Sequence, residues 1–229
     1  MSASQAAVVH APGETPRQAF KLPFPRLVEW LTPEEGWDSL ALLMAAVAVV
    51  AWSVREAGWV ETPGIFTIAV LSCLVGFLLA KIRAPCPVAW LVIFPEGLAI
   101  GLVVVMRQTA SLVEGQSLAG QVAESRDRLG AWLEAAVSGG ISTDLLPFSL
   151  ALLALAWLLG YTGAWFLFRR GNVWVGVLLA AVAILTNLSA LPESFGSKFF
   201  LFMLPALLLV ARVSMAQRHQ HWRTVGISF

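Results

Sequence analysis

Residues 138–170 read SGGISTD-LLPFSLALLALAWLLGYTGAWFLF-RR, and this stretch decides the fold. From Leu145 to Phe168 it carries 24 residues without a charge. At about 1.5 Å per helical residue, that length crosses a hydrocarbon core of roughly 30 Å with some tilt. A polar Ser-Thr-Asp entry and the Arg169-Arg170 exit mark its two ends. The remaining apolar segments can be placed against this transmembrane helix.

Composition agrees. The 229 residues are 58% hydrophobic and only 13% charged, about half the charged share of an average soluble domain. A formal net charge of +1 gives no basic surface for nucleic acid. Cys73 and Cys86 fall in or beside an apolar segment and read as small buried residues rather than a redox pair. His10, His219 and His221 lie outside the apolar segments, so no metal or haem site is expected in the membrane. No cofactor is expected.

Five further apolar segments follow from the charge map. Residues 1–36 contain Pro12, Pro16, Pro23, Pro25 and Pro33 and form a tail, with a short interfacial segment at Phe24–Leu31. They lack the apolar core and cleavage site of a signal peptide. The spans are then Ser39–Val54, Thr62–Ala80, Pro85–Met106, Leu145–Phe168, Gly171–Pro192 and Phe195–Met215. Asn187–Pro192 is expected to be a loop. The last span is the weakest, with Lys198 and Arg212 expected to snorkel from its ends. The expected fold is therefore all-α: six transmembrane helices across residues 37–215, with a cytoplasmic tail at 216–229.

Placing the amino terminus in the cytoplasm puts ten of the 15 Lys and Arg residues on the inner side, which is the positive-inside pattern. Lys81, Arg83, Arg169 and Arg170 are topology anchors, with anionic lipid as their partner. Trp37, Trp90, Trp165 and Trp174 are expected at the inner interface, and Trp52 and Trp59 at the outer one. Both termini are expected inside a bacterial cytoplasmic membrane.

One surface element stands out. Over residues 117–137, Leu118, Val122, Leu129 and Leu133 recur at helical spacing, with Trp132 beside them. Glu124, Asp127, Arg128 and Glu134 occupy the other side, and Glu124 can pair with Arg128 at i,i+4. This predicts an amphipathic helix on the outer surface, lying on the leaflet or on a protein partner.

Three groups invite a chemical reading. Glu96 sits midway along the third span, where a charge costs about 2.5–3.5 kcal/mol on insertion scales. It reads as a neutral residue at a packed crossing, where Gly97 and Gly101 allow close helix approach. A proton or ion path is the sharper alternative, but no second acid lies at that depth. Ser142, Thr143 and Asp144 lack a histidine base on their side, so Thr143 or Asp144 reads as a helix N-cap. Tyr161 and Thr162 read as hydrogen-bonding between helices.

The order of features resembles a family. Its parts are Glu35-Gly36-Trp37, Ala51-Trp52-Ser53-Val54, the outer helix with Trp132, the run from Ser138 to Phe148, Trp157-Leu-Leu-Gly-Tyr161 with the Arg pair, Asn187-Leu-Ser189 and Trp222-Arg-Thr-Val-Gly-Ile227. From about Pro23 onward the chain resembles the N-terminal membrane domain of bacterial transglutaminase-like (TgpA-type) membrane proteins. That resemblance implies a bundle preceding an extracytoplasmic domain with a Cys-His-Asp triad. None of the triad maps onto this chain: Cys73 lies within a span, and the histidines lie in the tails. The implied function is a non-catalytic membrane anchor or scaffold rather than an enzyme. An accessory subunit of a larger membrane complex is the alternative, and a small transporter using Glu96 ranks third.

Overall fold

The computed structural model describes residues 33, 36–62, 64–82, 85–110, 118–139, 144–191 and 196–224. The amino-terminal tail, its interfacial segment, Arg83, Ser142, Thr143 and the last five residues lie outside the described residues. Among the described residues seven α-helices follow in chain order: α1 Trp37–Ala57, α2 Ile65–Lys81, α3 Cys86–Ala110, α4 Leu118–Ser138, α5 Leu146–Arg170, α6 Val173–Ser189 and α7 Ser197–Thr224. Among the described residues there is no strand.

The apolar stretch quoted above is α5, and the bundle is built around it. It packs against α2 over its most extensive interface and also touches α1, α3, α4 and α6. Its start is polar enough to turn: the Asp144 carboxylate accepts from Leu146 N at 3.0 Å, and Pro147 sits in the first turn, where a missing N–H costs nothing. Its end is fixed by Gly171 at φ 62°, the left-handed geometry that closes the last turn.

Small residues set how closely the helices approach. On α2, Ala69, Ser72, Cys73, Gly76 and Ala80 are all buried, and they recur at three- and four-residue intervals on one face. That face meets Gly160 and Ala164 of α5. A Cβ placed on Gly76 would come within 2.5 Å of the Tyr161 carbonyl oxygen, and one on Gly160 would strike Ser72 and Cys73. A second contact repeats the device, because a Cβ on Gly176 of α6 would lie 2.9 Å from the Gly163 Cα. Leu43 of α1 fills the space beside both glycines. Close approach therefore occurs at α2–α5 and α5–α6. Gly97 instead faces a side chain: a Cβ there would lie 3.0 Å from the Trp157 indole.

Polar contacts tie the helix ends and fix their directions. At one end, Asp38 of α1 holds Arg212 of α7 at 2.6 Å, and Gln217 donates to the Gly171 carbonyl at 2.6 Å. We call this the Arg170 end. At the other, the Arg55 end, Glu56 of α1 holds Lys198 of α7 at 2.5 Å, while Ser149 of α5 donates to the Glu61 carbonyl at 3.1 Å. Both cations expected to snorkel are thus paired within the bundle.

Two boundaries differ from the sequence reading. The last segment is the most apolar of the long helices, with a mean hydropathy of 2.1 over a window in Ser197–Arg218, and it continues through Pro205. Its flanking charges are neutralised by partners on α1, which apolar length alone does not reveal. Asn187 and Ser189 are helical rather than loop, because Asn187 is held inside the bundle. Three helices, α1, α5 and the Ser197–Arg218 part of α7, are long and apolar enough to cross a membrane. Residues 65–81, 87–97 and 173–189 are shorter apolar helical segments.

Replacing Gly160 by Val is expected to destabilise the bundle by about 3 kcal/mol through overpacking at the α2–α5 crossing. Gly130→Ala, where a Cβ meets nothing within 4 Å, should be neutral or slightly stabilising. Equilibrium unfolding of both variants in a mild detergent checks the difference; equal effects would remove the crossing from its central place.

Candidate functional site

Polar groups concentrate at the Arg55 end. The buried Ser53 hydroxyl accepts from Asn187 Nδ2 at 2.7 Å, and Asn187 Oδ1 accepts from the Trp59 indole at 3.0 Å. Asn187 thereby joins α6 to α1 and to the turn after it, using both ends of its amide. Lys198 Nζ lies 3.4 Å from the Trp52 ring centroid while it pairs with Glu56, so its charge is met by a carboxylate and an aromatic face together.

Below this polar cap runs an apolar groove of about 780 Å³ between α1, α5 and α6, with Trp90 of α3 on its far wall. It extends from Trp59 and Asn187 to Thr162. Along α5 it spans Phe148 to Thr162, about 21 Å at the helical rise. Sequence periodicity did not reveal it, because it forms where three faces fail to close rather than along one helix.

The outer helix expected at 117–137 is α4, Leu118–Ser138. Its attachment differs from the sequence reading. Arg128 makes a bidentate pair with Asp144, at 2.6 and 2.8 Å, rather than pairing with Glu124. Asp144 reaches forward in sequence, beside the start of α5, where it also accepts from Leu146 N. It is thus the residue that tethers α4 to α5; the N-cap position is Leu145, one residue on, and the Asp144 carboxylate still takes the first helical N–H. The guanidinium beside Asp144 holds its carboxyl below the ordinary carboxylate range, against a smaller opposing effect of burial. The apolar side of α4 stays open: Trp132 is 39%, Leu133 58% and Val137 83% exposed. Val122 is also exposed and Leu129 half-buried; Leu118 begins the helix.

Glu96 lies on α3, which runs through Pro95. It is half-buried, and its Oε2 has no hydrogen-bond partner. The Trp157 indole nitrogen, next to Gly97, also lacks one. Tyr161 does bond between helices, donating to the Ala89 carbonyl of α3 at 3.1 Å. Thr162 instead donates within its own helix, to the Leu158 carbonyl. Trp165 is buried, with the Arg170 guanidinium 5.8 Å from its ring centroid. Lys81, Arg169 and Arg170 all end helices at the Arg170 end, where they complement the helix dipoles. Gly101 lies on α3. Cys73 is fully buried and free. Among the described residues, no group of His, Cys, Asp and Glu can hold a metal ion.

These features define an all-helical protein with helices long and apolar enough to cross a membrane, a polar cap at one end and a tethered amphipathic helix. No family model matches the chain, and no curated protein or solved structure matches it.

Two expectations follow from this geometry. Asp144 has a lowered folded-state pKa, so the tether contributes stability above the ordinary carboxylate range and loses it as pH falls through the depressed value. Hydrogen exchange across α4 should therefore stay slow at neutral pH and rise in acid. Asp144→Asn should lift exchange at neutral pH and cost about 1 kcal/mol; an unchanged profile would show that α4 is held by other contacts. Glu96→Gln should fold and melt like the parent protein, since a carboxyl and an amide fill the same space. Loss of the bundle on that change would show that its carboxyl is needed.

Proposed function

We propose that this protein is a non-catalytic membrane anchor and scaffold: six helices cross the membrane and α4 offers a docking face outside it. The observation that carries this reading is the tether at Arg128 and Asp144. It fixes the middle of α4 to the start of α5 while Trp132, Leu133 and Val137 remain uncovered. A helix that simply completed the bundle would bury those residues. Exposed aromatic and aliphatic side chains on a positioned helix are the usual anchors of a protein contact.

Six crossings rest on length and charge. The 17-residue helices α2 and α6 span about 26 Å at the helical rise, at the lower end of what a bilayer requires. The positive-inside distribution then orients the Arg170 end toward the cytoplasm and α4 away from it. The likeness to the anchor of transglutaminase-like proteins fits this arrangement, with a catalytic domain or another extracytoplasmic protein as the partner of α4.

Topology is tested by Arg126→Cys and Gln217→Cys, labelled in intact cells with a membrane-impermeant maleimide. Labelling at 126 alone is expected, and labelling at 217 alone would invert the orientation. The docking role is tested by a photocrosslinking residue at Leu133. Adducts with one defined protein that vanish on Trp132→Ser support it, while adducts with lipid alone would make α4 a leaflet-bound helix and remove the scaffold reading.

A further inference from the structure

The turn between α1 and α2 forms a second cavity of about 470 Å³, lined by Arg55, Glu61, Thr62, Gly64 and Phe66 among others. Three features of it suit an anion. Arg55 lies over the Phe66 ring at 5.7 Å and, among the described residues, forms no ion pair. Its neighbour Glu56 is taken by Lys198. Thr62 is only 7% exposed, and its hydroxyl has no hydrogen-bond partner, an arrangement that costs free energy while it stays unmet. The 17-residue helix α2 begins here, and no side chain caps it. The Ile65 N–H donates to the Thr62 carbonyl at 3.4 Å, and the other first-turn N–H groups and the positive dipole end face the same corner.

A guanidinium, a hydroxyl and an uncapped helix N-terminus around one cavity make a phosphate site. Glu61, which also lines it, adds one negative charge and opposes a ligand that is purely anionic. The ligand suited to both signs carries a phosphate and a cation together. The apolar groove adjoins this corner: Val54 and Ile65 line the groove, while Arg55 and Ile65 line the corner. We propose that the corner binds a phosphate group, and that the phosphate belongs to a zwitterionic phospholipid of the ethanolamine type. Arg55, Thr62 and the start of α2 hold the phosphate, Glu61 faces the ammonium, and an acyl chain lies in the groove along α5. The groove then has a fixed occupant rather than exchanging bilayer lipid. This assignment is independent of the scaffold reading, because it involves neither α4 nor its partner.

The experiment uses the full chain purified in detergent, with lipid retention read by native mass spectrometry. The probes are dioleoyl phosphatidylethanolamine, dioleoyl phosphatidylglycerol and inorganic phosphate. Retention of the ethanolamine lipid is expected to fall at least fivefold in Arg55→Gln and in Thr62→Val, and to recover in part in Arg55→Lys. Glu61→Gln should shift the preference toward the glycerol lipid. Melting of the delipidated protein separates binding from folding. Thr62→Val removes an unpartnered hydroxyl, so it should melt no lower than the parent protein, whereas a structural threonine would lose stability. Stabilisation by inorganic phosphate that needs Arg55 and Thr62, with lipid retention indifferent to both, would keep the phosphate site and overturn the lipid as its source. Retention unchanged in both variants, with no effect of phosphate, would overturn the proposal.

Discussion

Close backbone approach between α2 and α5 is the constraint on which the other contacts depend. In hydrocarbon there is little hydrophobic drive between helices, so association rests on packing and on a few polar contacts. Gly76, Gly160, Gly163 and Gly176 supply that packing by bringing backbones together where a methyl group would collide. Once α2, α5 and α6 are at that distance, Leu43 can wedge beside Gly163 and Gly176. The aromatic stack of Trp37, Phe77 and Phe168 then closes the Arg170 end, with ring centroids 5.7 and 4.8 Å apart. A larger residue at 160 would open all of these contacts together.

Charges are distributed by the same logic. The outward faces of α6 and α7 carry Leu178, Val182, Leu185, Phe200, Leu204 and Leu207, all exposed. Such a face is stable when the surrounding medium is itself apolar. The cations flanking the uncharged part of α7, Lys198 and Arg212, are paired with Glu56 and Asp38 of α1. These pairs also select which helix α7 lies beside, since a shifted register would leave a charge unmet near the apolar zone.

Much of this was legible in the sequence because it follows from local pattern. The uncharged run Leu145–Phe168 became Leu146–Arg170, and the 3.6-residue periodicity at 117–137 became Leu118–Ser138. Periodicity carries no information on which partner a side chain finds, and there the reading departs from the structure. Arg128 had Glu124 one helical turn away, yet the bidentate partner is Asp144, which the return of the chain into α5 brings alongside. Gly97 and Gly101 have the familiar spacing, while Gly76, Gly160, Gly163 and Gly176, which lack it, also bring helices close together. Small residues at three- and four-residue intervals from Ala69 to Ala80 were the signal that marked the α2 face.

Where unmet polar groups lie separates structural from functional positions. Glu96 and Trp157 each leave a polar atom without a partner, and Trp157 faces Gly97, the residue after Glu96 on α3. A single carboxyl at a packed crossing marks no path by itself. The corner of Arg55 and Thr62 differs in kind. A guanidinium keeps its charge at any accessible pH, so the corner cannot remove its demand by changing protonation state. An uncapped helix start and an unbonded hydroxyl add to that demand in the same place. A ligand is therefore a better explanation for this corner than for Glu96, although an acid in the membrane is the more conspicuous feature in the sequence.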